Sequence, residues 1–221
     1  MRRIAPRILA RSAAAMILAA AISAALCGCA AVAWTVAQFA PPQKVKALYR
    51  LPKDKKVLVF VDDYLSEVRY EPIKGLLTDR INERLTKQAL AAGTIPYRSL
   101  ADLSSAKARF NDLAISQVGQ ELGADIVLYV HIDAFSTKDL EDSPLWHGQF
   151  QATVRVVDVR TGRLWPTDRP EGYALNPVET PSSENSAANY ESQLAGEMAD
   201  TMSQRIVNLF CDHYVPAAEA Q

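Results

Sequence analysis

Asp125-Ile-Val-Leu-Tyr-Val-His-Ile-Asp-Ala-Phe135 and, further along, Phe150-Gln-Ala-Thr-Val-Arg-Val-Val-Asp-Val-Arg-Thr-Gly-Arg-Leu-Trp165 are the stretches that decide the fold. In the first, Ile126, Leu128, Val130, Ile132 and Ala134 fall on one side of an extended chain, while Tyr129, His131 and Asp133 give the other side a mixed character. Side chains alternate across a strand, so this pattern predicts a strand with one buried face. In the second, Phe150, Ala152, Val154 and Val156 alternate with Gln151, Thr153 and Arg155 in the same way. The run from Asp158 to Trp165 then predicts a tight turn, with Gly162 supplying the positive φ that a short hairpin loop needs.

Working outward, Val57-Leu-Val-Phe-Val61 is an unbroken apolar run between Lys55-Lys56 and Asp62-Asp63, the mark of a strand covered on both faces. Pro72 suits the first turn of a helix predicted over 72–92, with Ile73, Leu77, Ile81 and Leu85 in one stripe and Gly93 as its stop. Ile95-Pro-Tyr97 predicts a short edge strand, since Pro96 cannot donate to a ladder. A second helix is predicted over 112–122, capped by Asn111 or Asp112, with Ile115, Val118 and Leu122 inward and Gly123 ending it. Residues 166–188, rich in Pro, Ser, Asn and Glu, predict a long surface loop with a strand at 172–175. A last helix is expected over 189–213 on the stripe Leu194, Met198, Met202, Ile206 and Leu209, with a frayed tail over 215–221. The order β-α-β-α-β-β-α describes a single α/β domain with a mixed sheet. A chain of 221 residues, 49% hydrophobic, is long enough to close one such core.

The first 28 residues carry an Arg-rich start, an apolar stretch from residue 13 and then Leu26-Cys-Gly-Cys29, the pattern of a secretory signal. Leu26-Cys-Gly-Cys29 resembles the lipobox of bacterial lipoproteins, which implies cleavage after Gly28 and acylation of Cys29. An uncleaved helix over 13–40 is the competing reading, because apolar character continues that far. Both place the body outside the cytoplasm, since the arginines stay inside. The segments are then a signal (1–28), a lipid-anchored tether (29–55), the α/β domain (56–214) and a tail (215–221). Ala30 rather than Asp follows Cys29; in the lipoproteins this resembles, that implies the periplasmic face of the outer membrane, with the inner membrane as the alternative. Cys27 leaves with the signal and Cys29 carries lipid, so Cys211 stands without an intramolecular disulfide partner and reads as a small buried hydrophobe.

The whole chain has 24 basic and 25 acidic residues; without Arg2, Arg3, Arg7 and Arg11 the balance is 20 against 25, a net −5. That argues against nucleic acid as a partner, because a phosphate-binding surface needs excess cations.

A strand and helix, then Gln120-Glu-Leu-Gly-Ala-Asp-Ile-Val-Leu-Tyr-Val130, then the hairpin with its Asp-x-x-Thr-Gly turn, resemble the anticodon-binding-like domain of periplasmic lipoproteins. That group includes the curli-secretion lipoprotein CsgG, the polysaccharide-export lipoprotein PelC, the lipoprotein activator of a penicillin-binding protein and the N-terminal domain of TolB. The resemblance covers about residues 57–213 and implies an envelope component that assembles with other envelope proteins or as a homo-oligomer.

Asp62 and Asp63 end the first strand, where open α/β sheets place ligands, and read as solvated strand-end acids. His131 and Asp133 share a strand face, and with His147 across the hairpin they are the candidates for a metal site; the expectation is nonetheless no metal, and no cofactor beyond the covalent lipid. His213 reads as a favourable residue at a helix C-terminus. Trp146 and Trp165 at loop boundaries read either as lids on the core or as a partner surface. No Gly-x-Ser-x-Gly, Gly-rich phosphate loop or His-Glu-x-x-His occurs. The sequence thus favours a non-enzymatic, lipid-anchored periplasmic component of envelope transport or cell-wall maintenance; a small periplasmic ligand- or metal-binding protein is the competing class.

Overall fold

The computed structural model describes residues 42–64, 68–140 and 142–216. The signal, Gly28 and Cys29 lie outside the described residues. Two units are distinguished, the first formed by the terminal segments through Val45 and from His213, the second by Lys46–Asp212. In the first, β1 (Gln43–Val45) pairs antiparallel with β11 (His213–Val215).

The second unit is built on a mixed sheet in the order β3-β2-β4-β6-β7. Its strands are β2 (Lys56–Asp62), β3 (Gly93–Ile95), β4 (Ile126–Ser136), β6 (Gln149–Asp158) and β7 (Gly162–Trp165). β2 runs parallel to both β3 and β4, and β4 runs antiparallel to β6. β8 (Tyr173–Ala174) and β9 (Val178–Glu179) pair in succession along the same side of β6 as β7, so three short strands cover one long edge. β5 (Leu145–Trp146) and β10 (Ser183–Glu184) form a separate two-stranded sheet.

The sheet is covered on both faces. Helices α1 (Pro72–Lys87) and α4 (Tyr190–Asn208) bury Ile73, Leu77, Ile81, Leu85, Met198, Met202 and Ile206 against Val57, Val59, Val61, Ile126, Leu128 and Val130. On the other face, Leu100 of α2 (Tyr97–Ala106) and Val118 of α3 (Ile115–Glu121) pack with Leu58, Phe60, Val127, Tyr129 and Val157. The opening stretch is therefore buried on both faces over its first half rather than on one: Val127 and Tyr129, on the side read as mixed, are core residues. The alternation also slips once, because the register with β6 shifts between Ile132 and Ala134.

Other departures have local causes. Helix α1 stops at Lys87, not at residue 92: Leu90 N–H donates to Leu85 O (3.0 Å) and Ala89 N–H to Thr86 O (3.1 Å), a Schellman ending whose left-handed residue is Ala89, at φ 49°. Gly93 instead begins the edge strand, and Pro96 leads straight into α2, a helix the sequence reading omits. The helix expected over 112–122 is split into a 3₁₀ turn (Phe110–Asp112) and α3, whose first turn is closed by the Gln117 side chain accepting from Ala114 N–H at 2.8 Å. The strand expected over 172–175 is present as β8, but the surrounding stretch read as surface loop also holds β9 and β10, and Leu175 and Val178 are buried. Helix α4 ends at Asn208, so His213 lies on strand β11 and not at a helix terminus. Within the stretch read as tether, Leu51 is buried and Tyr49 packs against the core.

Two turn residues test this account. At Gly162, φ is 95° and an added Cβ would meet nothing within 4 Å, so the cost of Gly162→Val is backbone strain alone: it should destabilise the domain by more than about 1 kcal/mol and lower Tm by roughly 2–4 °C per kcal/mol. Ala89→Gly should act the other way, raising stability by about 0.5–1 kcal/mol in urea unfolding, because glycine accepts the left-handed conformation freely.

Candidate functional site

The C-terminal end of β2 is where the chain gathers its polar groups. Consecutive strand residues face opposite sides, so Asp62 and Asp63 separate. Asp62 stands in register with His131 of β4, on the face that carries Phe60 and Tyr129. Tyr129 O–H donates to Asp62 at 3.0 Å. Burial above all, and then the Asp62 charge, push the Tyr129 phenol far above its ordinary pKa, so it remains a proton donor throughout the neutral range. On the neighbouring strand Arg155 pairs with Tyr129 in register, its guanidinium 5.0 Å from the ring centroid. Thr153, opposite His131, donates its hydroxyl to Asp133 at 2.7 Å.

Asp63 turns away into a nearly closed setting, with 5% of its side chain exposed. It accepts Val68 N–H at 3.2 Å and pairs with Lys74 in the first turn of α1 at 2.5 Å. Partial burial alone would lower the Lys74 pKa; the Asp63 hydrogen bond and charge, with Glu71 beside them, outweigh it and hold the ammonium above its ordinary value. Asp63 is therefore a structural clasp between strand end, loop and helix rather than a solvated acid. A cavity of about 520 Å³ opens here, lined by Phe60, Asp62, Asp63, Lys74, Phe110 and Tyr129 among others.

Several of the polar groups at this site bond to one another. The carboxylates of Asp62 and Asp63 are committed to Tyr129 and Lys74. His131 Nε2 stands 3.8 Å from Asp133, beyond hydrogen-bond reach. His131 Nδ1 and Arg155 Nε are buried with no hydrogen-bond partner. The structure does not bring His147 to His131 and Asp133: its backbone N–H bonds Thr137 O at the far end of β4, and its ring Nδ1 is 2.6 Å from Asp139. Among the described residues, no group of three or more His, Cys, Asp or Glu is placed to hold a metal ion.

Asp139 also borders a second, open cavity of about 670 Å³, lined by Tyr70, Phe135, Lys138, Trp146 and Glu191 among others. Trp146 packs edge-on to Tyr190, donates Nε1–H to Asn185 O at 2.8 Å and lies under Lys138. Trp165 is held by stacking on Tyr49 and Tyr173 and by an edge contact with Phe210, the position of a lid on the core. Burial, then the Asp212 charge, raise the Cys211 thiol pKa, in keeping with a packed residue. The sequence reading missed Lys74 and Arg155. Lys74 has no local signal, but Arg155 follows from the hairpin register once the loop between β4 and β6 is known.

No family model and no curated protein matches the chain. Among solved structures, lipoprotein GNA1162 from Neisseria meningitidis is 17% identical, with a TM-score of 0.40 over 67% of this chain and 98% of its own. The PelC dodecamer from Paraburkholderia phytofirmans is 12% identical, with a TM-score of 0.39 over 75% and 96%. The hypothetical protein CT253 from Chlamydia trachomatis is 18% identical, with a TM-score of 0.36 over 70% and 94%. At that level of identity and superposition these likenesses decide nothing about activity.

If Asp63 and Lys74 form the clasp described, Asp63→Asn and Lys74→Met should each cost about 2–3 kcal/mol, because each leaves a charged partner in a largely buried place. The double variant should recover part of that loss, with a coupling of at least about 1 kcal/mol in a denaturant cycle. Additive losses would mean that the contact contributes nothing.

Proposed function

We propose that this chain is a non-enzymatic, lipid-anchored component of a cell-envelope transport, export or cell-wall maintenance assembly, acting through contacts with envelope proteins and with copies of itself. The observation that carries the reading is Leu26-Cys-Gly-Cys29 at the end of an Arg-rich, then apolar, leader. Acylated Cys29 holds the body at the periplasmic face of the outer membrane, and two or more acyl chains suffice for a stable anchor at about 0.8 kcal/mol per buried methylene. If residues 13–40 stay uncleaved, the same body faces the periplasm from the inner membrane. Among the described residues, no helix is long and apolar enough to cross a membrane. The anticodon-binding-like assignment, shared with the CsgG, PelC and TolB N-terminal group, belongs to the same proposal and rests on the strand, helix and Asp-x-x-Thr-Gly pattern. The commitment of the site's carboxylates to Tyr129 and Lys74 supports a role in binding rather than turnover.

Cys29→Ser should abolish labelling by a radioactive fatty acid and leave a longer species on gels, because acylation precedes cleavage after Gly28. Unchanged labelling and mobility would rule out the anchor.

A further inference from the structure

Charge is distributed along this chain in a strongly polar way. Residues 29–42 carry no charged side chain, and residues 43–56 hold Lys44, Lys46, Arg50, Lys53, Lys55 and Lys56 against Asp54 alone, a local net of +5. Residues 57–221 hold the other 14 cations and 24 acids, a net of −10. The basic stretch thus follows directly on the segment that would lead from the acylated cysteine.

The structure turns that composition into a surface. From Lys46 to Leu51 the chain is pinned against the body: Leu48 and Tyr49 N–H both donate to Leu209 O, at 2.8 and 3.1 Å, and Tyr49 and Leu51 pack into the core. Lys46, Leu48 and Arg50, which alternate with them, are exposed, and Leu48 presents 52% of its surface between the two cations. A turn at Pro52 then exposes Lys53 and Lys56. Asp54 is exposed within the strip, while the other nearby acids are engaged. Asp212 accepts from Arg50 at 2.8 Å, Asp125 from Lys56 N–H at 3.0 Å, and Asp158, which feels the Lys55 charge, from the N–H groups of Arg160 and Thr161.

We infer that the strip from Lys46 to Lys56 is a membrane-surface contact that recognises anionic phospholipid headgroups and orients the body on the bilayer. The inference rests on the lipid anchor proposed above. A basic segment close to an anchor is drawn to an anionic leaflet over a Debye length, while an acidic remainder is repelled, so the molecule has a preferred face. The 14 residues from 29 to 42 span at most about 50 Å, which keeps the strip within reach of the headgroups. Leu48 between two cations matches the pairing of apolar and basic groups that settles at an interface.

The test uses the full lipidated chain, transferred from detergent to preformed vesicles of phosphatidylcholine with or without phosphatidylglycerol at about 30 mol %. Acetylation of each lysine is followed by mass spectrometry, with Lys87, which is 71% exposed on α1, as the internal standard. Lys46, Lys53 and Lys56 should be acetylated at least about threefold more slowly on the anionic vesicles, Lys87 should not change, and about 0.5 M salt should remove the difference. Lys53→Glu with Lys56→Glu should abolish the protection of Lys46 while the chain still floats with neutral vesicles. Equal acetylation on both vesicle types overturns the strip and leaves the anchor standing. A chain that does not float with neutral vesicles overturns the anchor and this inference with it.

Discussion

The parallel ladder between β2 and β4 is the constraint on which the rest of the structure depends. Six register pairs, from Val57 with Ile126 to Asp62 with His131, join the strands, and their side chains are buried on both faces over most of that length. A pair in this position satisfies its backbone groups internally and requires a helical layer on each side. α1 and α4 supply one layer, and α2 and α3 supply the other. The layers differ in their anchoring. Arg84 ties α1 to α4 through Ser203 at 2.9 Å and Asp200 at 2.8 Å, whereas α3 meets the sheet at Gly119, where an added Cβ would come within 2.5 Å of Val127.

The far edge of the sheet poses a different problem. β6 is ten residues long and would leave a row of open backbone groups, a template for unwanted pairing. The chain covers that row in three pieces, β7, β8 and β9, with Leu175 N–H adding a bond to Ala152 O at 2.9 Å. Prolines at 166, 170 and 177 interrupt the covering segment without abolishing its pairing. Arg205 of α4 secures it by donating to the carbonyls of Asn176 and Pro177, at 2.9 and 2.8 Å. The same helix that fills the core thus also fastens the sheet's edge.

The end of β2 shows how geometry assigns different roles to adjacent, chemically identical groups. Asp62 faces the aromatic side and accepts from a phenol, while Asp63 faces the start of α1 and pairs with an ammonium. Basic residues unbalanced by acids are concentrated over 43–56, in the stretch nearest the leader.

Much of this could be read in the sequence because it is periodic and local. Ile73, Leu77, Ile81 and Leu85 repeat at helical spacing and all lie in the core; Phe150, Ala152, Val154 and Val156 alternate and do the same; Gly162 occupies the positive-φ turn that Asp158-Val-Arg-Thr-Gly requires. The Leu26–Cys29 pattern is likewise a matter of local order. What the sequence could not show depended on partners distant along the chain. Tyr129 is a core residue because Phe60 of β2 meets its ring edge-on at 5.4 Å within the cluster that Leu100 and Val118 close, not because of its neighbours in β4. Beyond the strand expected over 172–175, Val178–Glu179 becomes strand because β6 offers it a ladder, and hydrogen bonding to an available edge outweighs weak intrinsic propensity. His131 and His147, equally suggestive as letters, part company because the hairpin register leaves His131 mid-strand opposite Thr153 and places His147 past the end of β4, beside Thr137. The sequence by itself determined which residues prefer the interior and where the chain can turn; the tertiary structure alone decided which polar groups meet, since that depends on register and on the packing of elements far apart in the chain.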